Sequence, residues 1–284
     1  MSKKKNRPLP ETLGLPLTGV ESHAHLDMDP LSEDVPGVLA RARAAGVVQL
    51  VNVFLGPDAF EANAPLFADA PQVSFILGMH PHEAKDCSDA VLARMQAAFV
   101  AEPRLKALGE VGLDYYYDRS PREVQRQALG RQLELARSRD LPVVIHSRDA
   151  HEDTLRILLD MGFAGRKLLW HCFGGDAAMA REILGHGWFV SIPGPVTYAK
   201  NEDLRRAVVD IPLERMTLET DCPFLAPDPW RGKTNEPALM AFTARAVAEI
   251  KGLDIAEVWT RTGGTAREFF GLGEPGLDQE PVSV

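Results

Sequence analysis

The chain has 284 residues, 45% hydrophobic and 25% charged, enough to bury a sizeable core in one large α/β domain or two ordinary ones. Its formal charge of −9 argues against tight, non-specific duplex binding, which needs a basic face, although local Lys and Arg can still hold phosphates. Three cysteines (Cys87, Cys172, Cys222) make no disulfide framework, no apolar stretch follows the basic start, and no apolar run reaches about 18 residues; a cytoplasmic protein without a signal peptide or membrane-spanning helix is expected.

Residues 1–17 are rich in Lys and Pro and are expected to be a flexible N-terminal segment. From 18 to 270 a short β-branched run, a polar turn and a helical period recur without a linker. Strands are expected at 19–25, 47–54, 73–79, 105–113, 142–146, 167–171, 188–192 and 216–220. Helical stretches fall between them, at 38–45, at 88–100 and at 121–139, where Val124, Ala128, Leu129, Leu133 and Leu135 make the apolar face. Others are expected at 151–161, 176–186 and 236–250, the last with Pro237 in its first turn, and helices over 254–270 would close the outer ring. The Gly/Pro/acidic stretch 271–284 is expected to be a flexible C-terminal tail. Eight strands alternating with helices predict a single-domain TIM-type (β/α)8 barrel, with a doubly wound sheet as the alternative. No GxGxxG or GxxxxGK[ST] loop follows any strand, so a dinucleotide or P-loop site has little support.

Residues able to bind metal stand at the ends of these strands: His23, His25, Glu110, His146, His171 and Asp221. In a barrel, the C-terminal strand ends share one mouth, so distant residues can meet there. His23 and His25 are two apart on a strand and aim both imidazoles to one side, in a pattern that suits Zn²⁺ and neighbouring metals. Glu110 lies between Gly109 and Gly112, which permit a sharp turn or close backbone approach, and its two oxygens can bridge two ions. His146 and His171 each close an apolar strand, and Asp221 can hold a metal and accept the proton of an attacking water. Four His and two carboxylates suffice for two divalent ions sharing a solvent.

Other residues are expected nearby. Arg148, Arg231 and Lys233 are candidate phosphate contacts, and His80 a substrate contact, with His82 beside it. Tyr115, Tyr116 and Tyr117 could stack a base or pack the barrel rim, and Asn235 and Glu236 are expected to cap the helix that follows. Strand alternation would turn Cys172 and Cys222 away from the site.

The motifs SHAHLD (22–27), GMHPHE (78–83), GEVGLDYY (109–116), VIHSRDA (144–150), HCFGG (171–175), ETDCPFLAP (219–227) and RGKTNEP (231–237) together resemble the TatD family of metal-dependent deoxyribonucleases, within the amidohydrolase superfamily. Glu21 stands where that family often has Asp, and Cys222 where Ala is common. The resemblance implies a barrel hydrolase of DNA phosphodiester bonds, with 3'-5' exonuclease action on single-stranded ends. It implies that His23, His25 and Asp221 hold one metal, that His146 and His171 hold a second, that Glu110 bridges them, and that Asp221 is the general base. The family's ions are divalent, often Mg²⁺ in assays; a donor set this rich in nitrogen suits Zn²⁺ or Mn²⁺ better. A monomer with no obligate protein partner is expected. The alternatives are another hydrolase of the superfamily (lactonase, phosphotriesterase or amide hydrolase) and a non-catalytic interaction barrel. The first often uses a Lys as the bridge, and no Lys closes the strand that ends near Glu110; the second should lack a ligand, and none is missing.

Overall fold

A computed structural model describes residues 7–274. Its strands are β1 (Gly19–Ala24), β2 (Val47–Leu55), β3 (Val73–Gly78), β4 (Leu105–Asp114), β5 (Val143–Arg148), β6 (Leu168–Trp170), β7 (Phe189–Ile192) and β8 (Met216–Leu218). All neighbours pair in parallel, in the order β1 to β8. The sheet closes just beyond β8, where Ala24 bridges Cys222, the His25 N–H donates to the Cys222 carbonyl at 2.8 Å and the Asp221 N–H to the His23 carbonyl at 3.0 Å. The fold is therefore the expected TIM-type barrel and not a doubly wound sheet.

Alternation along the strands builds two apolar layers. Val51, Val53, Ile76, Ala107, Val144, Leu169 and Phe189, drawn from β2 to β7, meet one another and Phe269 and Phe270. These fill the barrel, whereas their strand neighbours Val143, Ile145, Leu168 and Trp170 join the larger cluster under the helices. His146 is two residues past Val144, and His171 two past Leu169. The same periodicity that fills the barrel therefore turns both imidazoles inward at its mouth.

The outer ring comprises α1 (Val35–Ala44), α2 (Pro57–Asn63), α3 (Asp89–Ala101), α4 (Arg122–Ser138), α5 (His151–Asp160), α6 (Ala177–Gly185), α7 (Glu202–Asp210), α8 (Met240–Lys251) and α9 (Ile255–Phe270). The helix expected at 88–100 starts where predicted, capped by the Ser88 hydroxyl, which accepts from the Val91 N–H. Neither α2 nor α7 was expected. The segment 254–270 is one helix rather than several, begun by an Asp254 cap and ended by Gly271 at φ 61°. The helix expected at 236–250 begins as a 3₁₀ turn, Pro237–Leu239, before α8. Several strand ends, at β6 and β8 above all, fall one or two residues short of the predicted ones, because the residues that follow bend out of the ladder.

The described part of the expected flexible N-terminal segment is tied down. Residues Pro10–Leu13 form a 3₁₀ turn, the Trp230 indole donates to the Pro8 carbonyl at 3.0 Å, and the Trp259 indole donates to the Pro16 carbonyl at 2.9 Å. Residues 1–6, and 275–284 of the expected tail, lie outside the described residues. Among the described residues no helix is long and apolar enough to cross a membrane.

Candidate metal centre

The closing seam of the barrel assembles half of the site. The hydrogen bonds that join β1 to the segment after β8 set Asp221 beside His23 and His25. Asp221 itself sits at φ 55°, the left-handed region that non-glycine residues seldom occupy outside turns and functional sites. Asn235 holds this turn, its side-chain amide donating to the Thr220 carbonyl at 2.8 Å and the Phe224 carbonyl at 2.6 Å. Asn235 is thus buried in the loop after β8 and not the cap of a helix, and Glu236 pairs with Arg41.

The other half comes from β4 and β5. A Cβ on Gly109 would stand 2.8 Å from the Val144 carbonyl oxygen, and one on Gly112, at φ 153°, would stand 1.8 Å from the His146 carbonyl oxygen. Only glycine permits this approach, which brings Glu110 against His146.

Glu110 stands at the middle, and its two oxygens face different groups. Oε2 lies 3.4 Å from His23 Nε2 and 3.8 Å from His25 Nε2, which in turn lie 3.8 and 3.5 Å from Asp221 Oδ1. Oε1 lies 2.6 Å from His146 Nδ1, 3.0 Å from His171 Nε2 and 3.5 Å from His80 Nε2. His23 and His171 stack at 3.8 Å. All six predicted ligands are together, and His80 joins them.

Three of the histidines turn one ring nitrogen outward and the other to the centre. His25 Nδ1 meets the Val53 carbonyl at 3.3 Å, His171 Nδ1 lies 3.3 Å from Glu219, and His146 Nε2 lies 3.2 Å from Asp114 Oδ2. An outer carboxylate or carbonyl of this kind fixes the tautomer and direction of a ligand imidazole. Glu219 and Asp114 were not expected from the sequence; each shows there only as an acid in an apolar run. His82 also hydrogen-bonds to Asp114, at 2.9 Å.

The electrostatics follow from burial and proximity. Burial alone would raise the Glu110 carboxyl, but the adjoining His171 and His80 rings outweigh it and hold the group well below the usual carboxylate range. Burial likewise opposes charge on His171, yet Glu110 and Glu219 lift it well above an ordinary histidine. At Asp221, burial is outweighed by the hydrogen bond to His25 and the charge of His171, and the carboxyl is lowered. His80 is pushed down to about 4 by burial, and His23 is lowered by burial and by its neighbour His171.

The donor set fits divalent cations. Among the described residues neither buried ring nitrogen of His23 has a hydrogen-bond partner, an arrangement that is costly unless something else meets the lone pair. Among the described residues, three combinations bring one ligand atom per residue within 4.8 Å of one another: His23, His25 and Asp221; His23, Glu110 and His171; and His80, Glu110 and His146. Neutral imidazole with carboxylate is the donor chemistry of Zn²⁺, Mn²⁺ and similar ions.

Above the centre opens a cavity of about 1240 Å³, with Arg148, His82 and Phe224 on its walls. Arg148 reaches it, stacked 4.0 Å over the Tyr116 ring rather than paired with a nearby acid. Arg231 does not line it and instead lies 4.1 Å over Tyr198. Cys222 is buried as expected of a residue facing away, but Cys172 lines the cavity, because φ 48° there breaks the strand alternation.

A family model described as "TatD related DNase" matches residues 20–271. The chain is 34% identical to an uncharacterized metal-dependent hydrolase, YabD, of Bacillus subtilis, over 88% of this chain and 98% of that protein. It is 32% identical to the 3'-5' ssDNA/RNA exonuclease TatD of Erwinia amylovora, over 85% and 95%. It also superposes on the crystal structure of YJJV, a TatD homolog from Escherichia coli, with a TM-score of 0.84 and 27% identity, covering 90% of this chain and 99% of that one.

Proposed function

Because the chain belongs to the TatD family and is a metal-dependent hydrolase acting on ester bonds, we propose that its substrate is DNA, cleaved as a 3'-5' exonuclease on single-stranded ends. One observation carries the reading: the two oxygens of Glu110 face separate groups of nitrogen donors. That is the disposition a carboxylate needs to join two divalent ions, one among His23, His25 and Asp221 and the other at His146 and His171. Such ions would acidify water and neutralise charge developing on phosphoryl oxygens.

The chain's own residues supply the rest. Asp221, held ionised, accepts the proton of the attacking water and can pass it to the leaving oxygen. Arg148 meets the phosphate from the cavity wall. His80, uncharged at neutral pH and 3.5 Å from Glu110, borders the reacting group without adding positive charge. Arg231 has no support as a contact from its position over Tyr198. Cytoplasmic location and a monomeric state belong to the same reading; the three cysteines are free, in keeping with a reducing compartment.

The test is release of nucleotides from single-stranded and duplex DNA by metal-stripped protein refilled with Mg²⁺, Mn²⁺ or Zn²⁺, beside Asp221→Asn. Cleavage that needs the metal and falls by about 10²-fold or more in the variant supports the reading. Failure with every metal, from folded protein that binds two ions, refutes it and turns attention to lactones, phosphotriesters and amides.

A further inference from the structure

Where β4 ends, the chain passes through Tyr115, Tyr116 and Tyr117. Tyr115 is structural: its hydroxyl donates to Asp153 at 2.7 Å and accepts from Arg126 at 3.0 Å. The next two tyrosines differ. They are 58% and 50% exposed, and among the described residues neither hydroxyl is hydrogen-bonded; Tyr117 also meets His82 edge-on at 5.4 Å and the Arg119 guanidinium at 5.4 Å, which leaves about half of each side chain open to solvent. The rings meet edge to face at 4.9 Å, and the Arg148 guanidinium lies 4.0 Å from the Tyr116 ring and 4.8 Å from the Tyr117 ring.

The backbone beneath them is fixed by one carboxylate. Asp114 Oδ1 accepts the N–H groups of Tyr116 at 3.0 Å and Tyr117 at 2.9 Å, while its Oδ2 meets His146 at 3.2 Å. The two rings are therefore held in register with a histidine of the centre. Tyr117 and Arg148 line the same cavity as Glu110 and Asp221.

We infer that Tyr116, Tyr117 and Arg148 form a stacking platform for an unpaired nucleobase, next to the phosphate that lies at the metal centre. The inference rests on the phosphodiesterase reading above. Aromatic faces and guanidinium planes stack on any base, and a cation among them also meets the adjoining phosphate; this combination binds single strands without regard to sequence. A base inside a duplex has both faces covered by its neighbours, so only a splayed or terminal base can occupy the platform. Strand preference then comes from these side chains and not from the metal cluster.

The experiment measures binding of two phosphorothioate-linked, fluorescently labelled oligomers of equal length, one oligothymidylate and one abasic, to Mn²⁺-loaded full-length protein. The wild type should favour the base-bearing oligomer by about 5- to 150-fold, equivalent to about 1–3 kcal/mol at 1.4 kcal/mol per tenfold. The double variant Tyr116→Ala, Tyr117→Ala should bring that ratio near one, and Tyr116→Phe should keep it. A ratio near one in the wild type, or one unchanged in the double alanine variant, overturns the platform. Cleavage of ordinary oligothymidylate, followed in parallel, separates the two readings. Cleavage without a base preference removes the platform alone, whereas a tyrosine-dependent preference without cleavage removes the nuclease reading and leaves the base site.

Discussion

Glu21 offers a quantitative check on how the centre is built from below. It is fully buried beneath the candidate ligands; Oε1 accepts the N–H of His23 at 3.1 Å and of Thr220 at 2.9 Å, while among the described residues Oε2 has no hydrogen-bond partner. Burial pushes its carboxyl up from 4.5 to about 8. Below about pH 4.5 the folded and unfolded chains both carry the proton, and the residue is neutral in the balance. Between about pH 4.5 and 8 the unfolded chain loses it while the fold retains it, so stability falls as pH rises, by about 1.36 kcal/mol per unit. Over the whole window the loss approaches about 5 kcal/mol. Glu21→Gln keeps an acceptor oxygen and cannot ionise. In chelator-treated protein unfolded with urea, its stability relative to wild type should therefore grow by about 4 kcal/mol between pH 5 and 8. A constant offset between the two proteins across that range would show instead that Glu21 ionises in the fold at an ordinary carboxylate pH.

Three further outcomes are expected. Gly112→Ala puts a Cβ 1.8 Å from the His146 carbonyl oxygen at φ 153°, and strain plus overpacking should cost about 3 kcal/mol or more in urea unfolding; an unchanged midpoint would contradict the close approach of β4 and β5. Glu219→Gln should weaken metal binding about 10- to 100-fold by titration calorimetry, since His171 loses the anion that orients it; wild-type affinity would remove Glu219 from that role. Arg148→Ala should raise KM for single-stranded DNA and reduce the slope of log affinity against log salt by about 0.7, as one phosphate contact is lost; an unaltered slope would place Arg148 off the phosphate.

The barrel was legible because parallel strands buried on both faces read as β-branched runs, and the spacing of those runs fixes the alternation with helices. Several candidate ligands were legible because they follow such a run, His146 after Val144–Ile145 and His171 after Leu169–Trp170, whereas Glu110 lies inside β4 and shows only by its flanking glycines. What the sequence withholds is partnership across the fold. Nothing in 114 or 219 distinguishes an acid that orients a histidine from a solvated turn residue until β5 and β6 stand beside them. Asn235 reads locally as a cap, yet its amide is used by carbonyls of a loop that lies ten to fifteen residues earlier. Cys172 escapes the alternation rule because the chain has already left the strand. The missed α7 is different: Leu204, Ala207, Val208 and Ile211 carry a helical spacing that a reading led by strands passes over.

If Glu110 joins two ions in a centre that cleaves phosphodiester bonds, bound ions and cleavage must rise together. The most direct measurement titrates metal-free protein with Mn²⁺ while following nucleotide release from single-stranded DNA and counting bound ions in the same samples. Release should climb to a plateau at about two ions per chain, with Glu110→Gln failing to reach either the count or the rate. Release that needs no added metal, or its absence when two ions are bound, would contradict it.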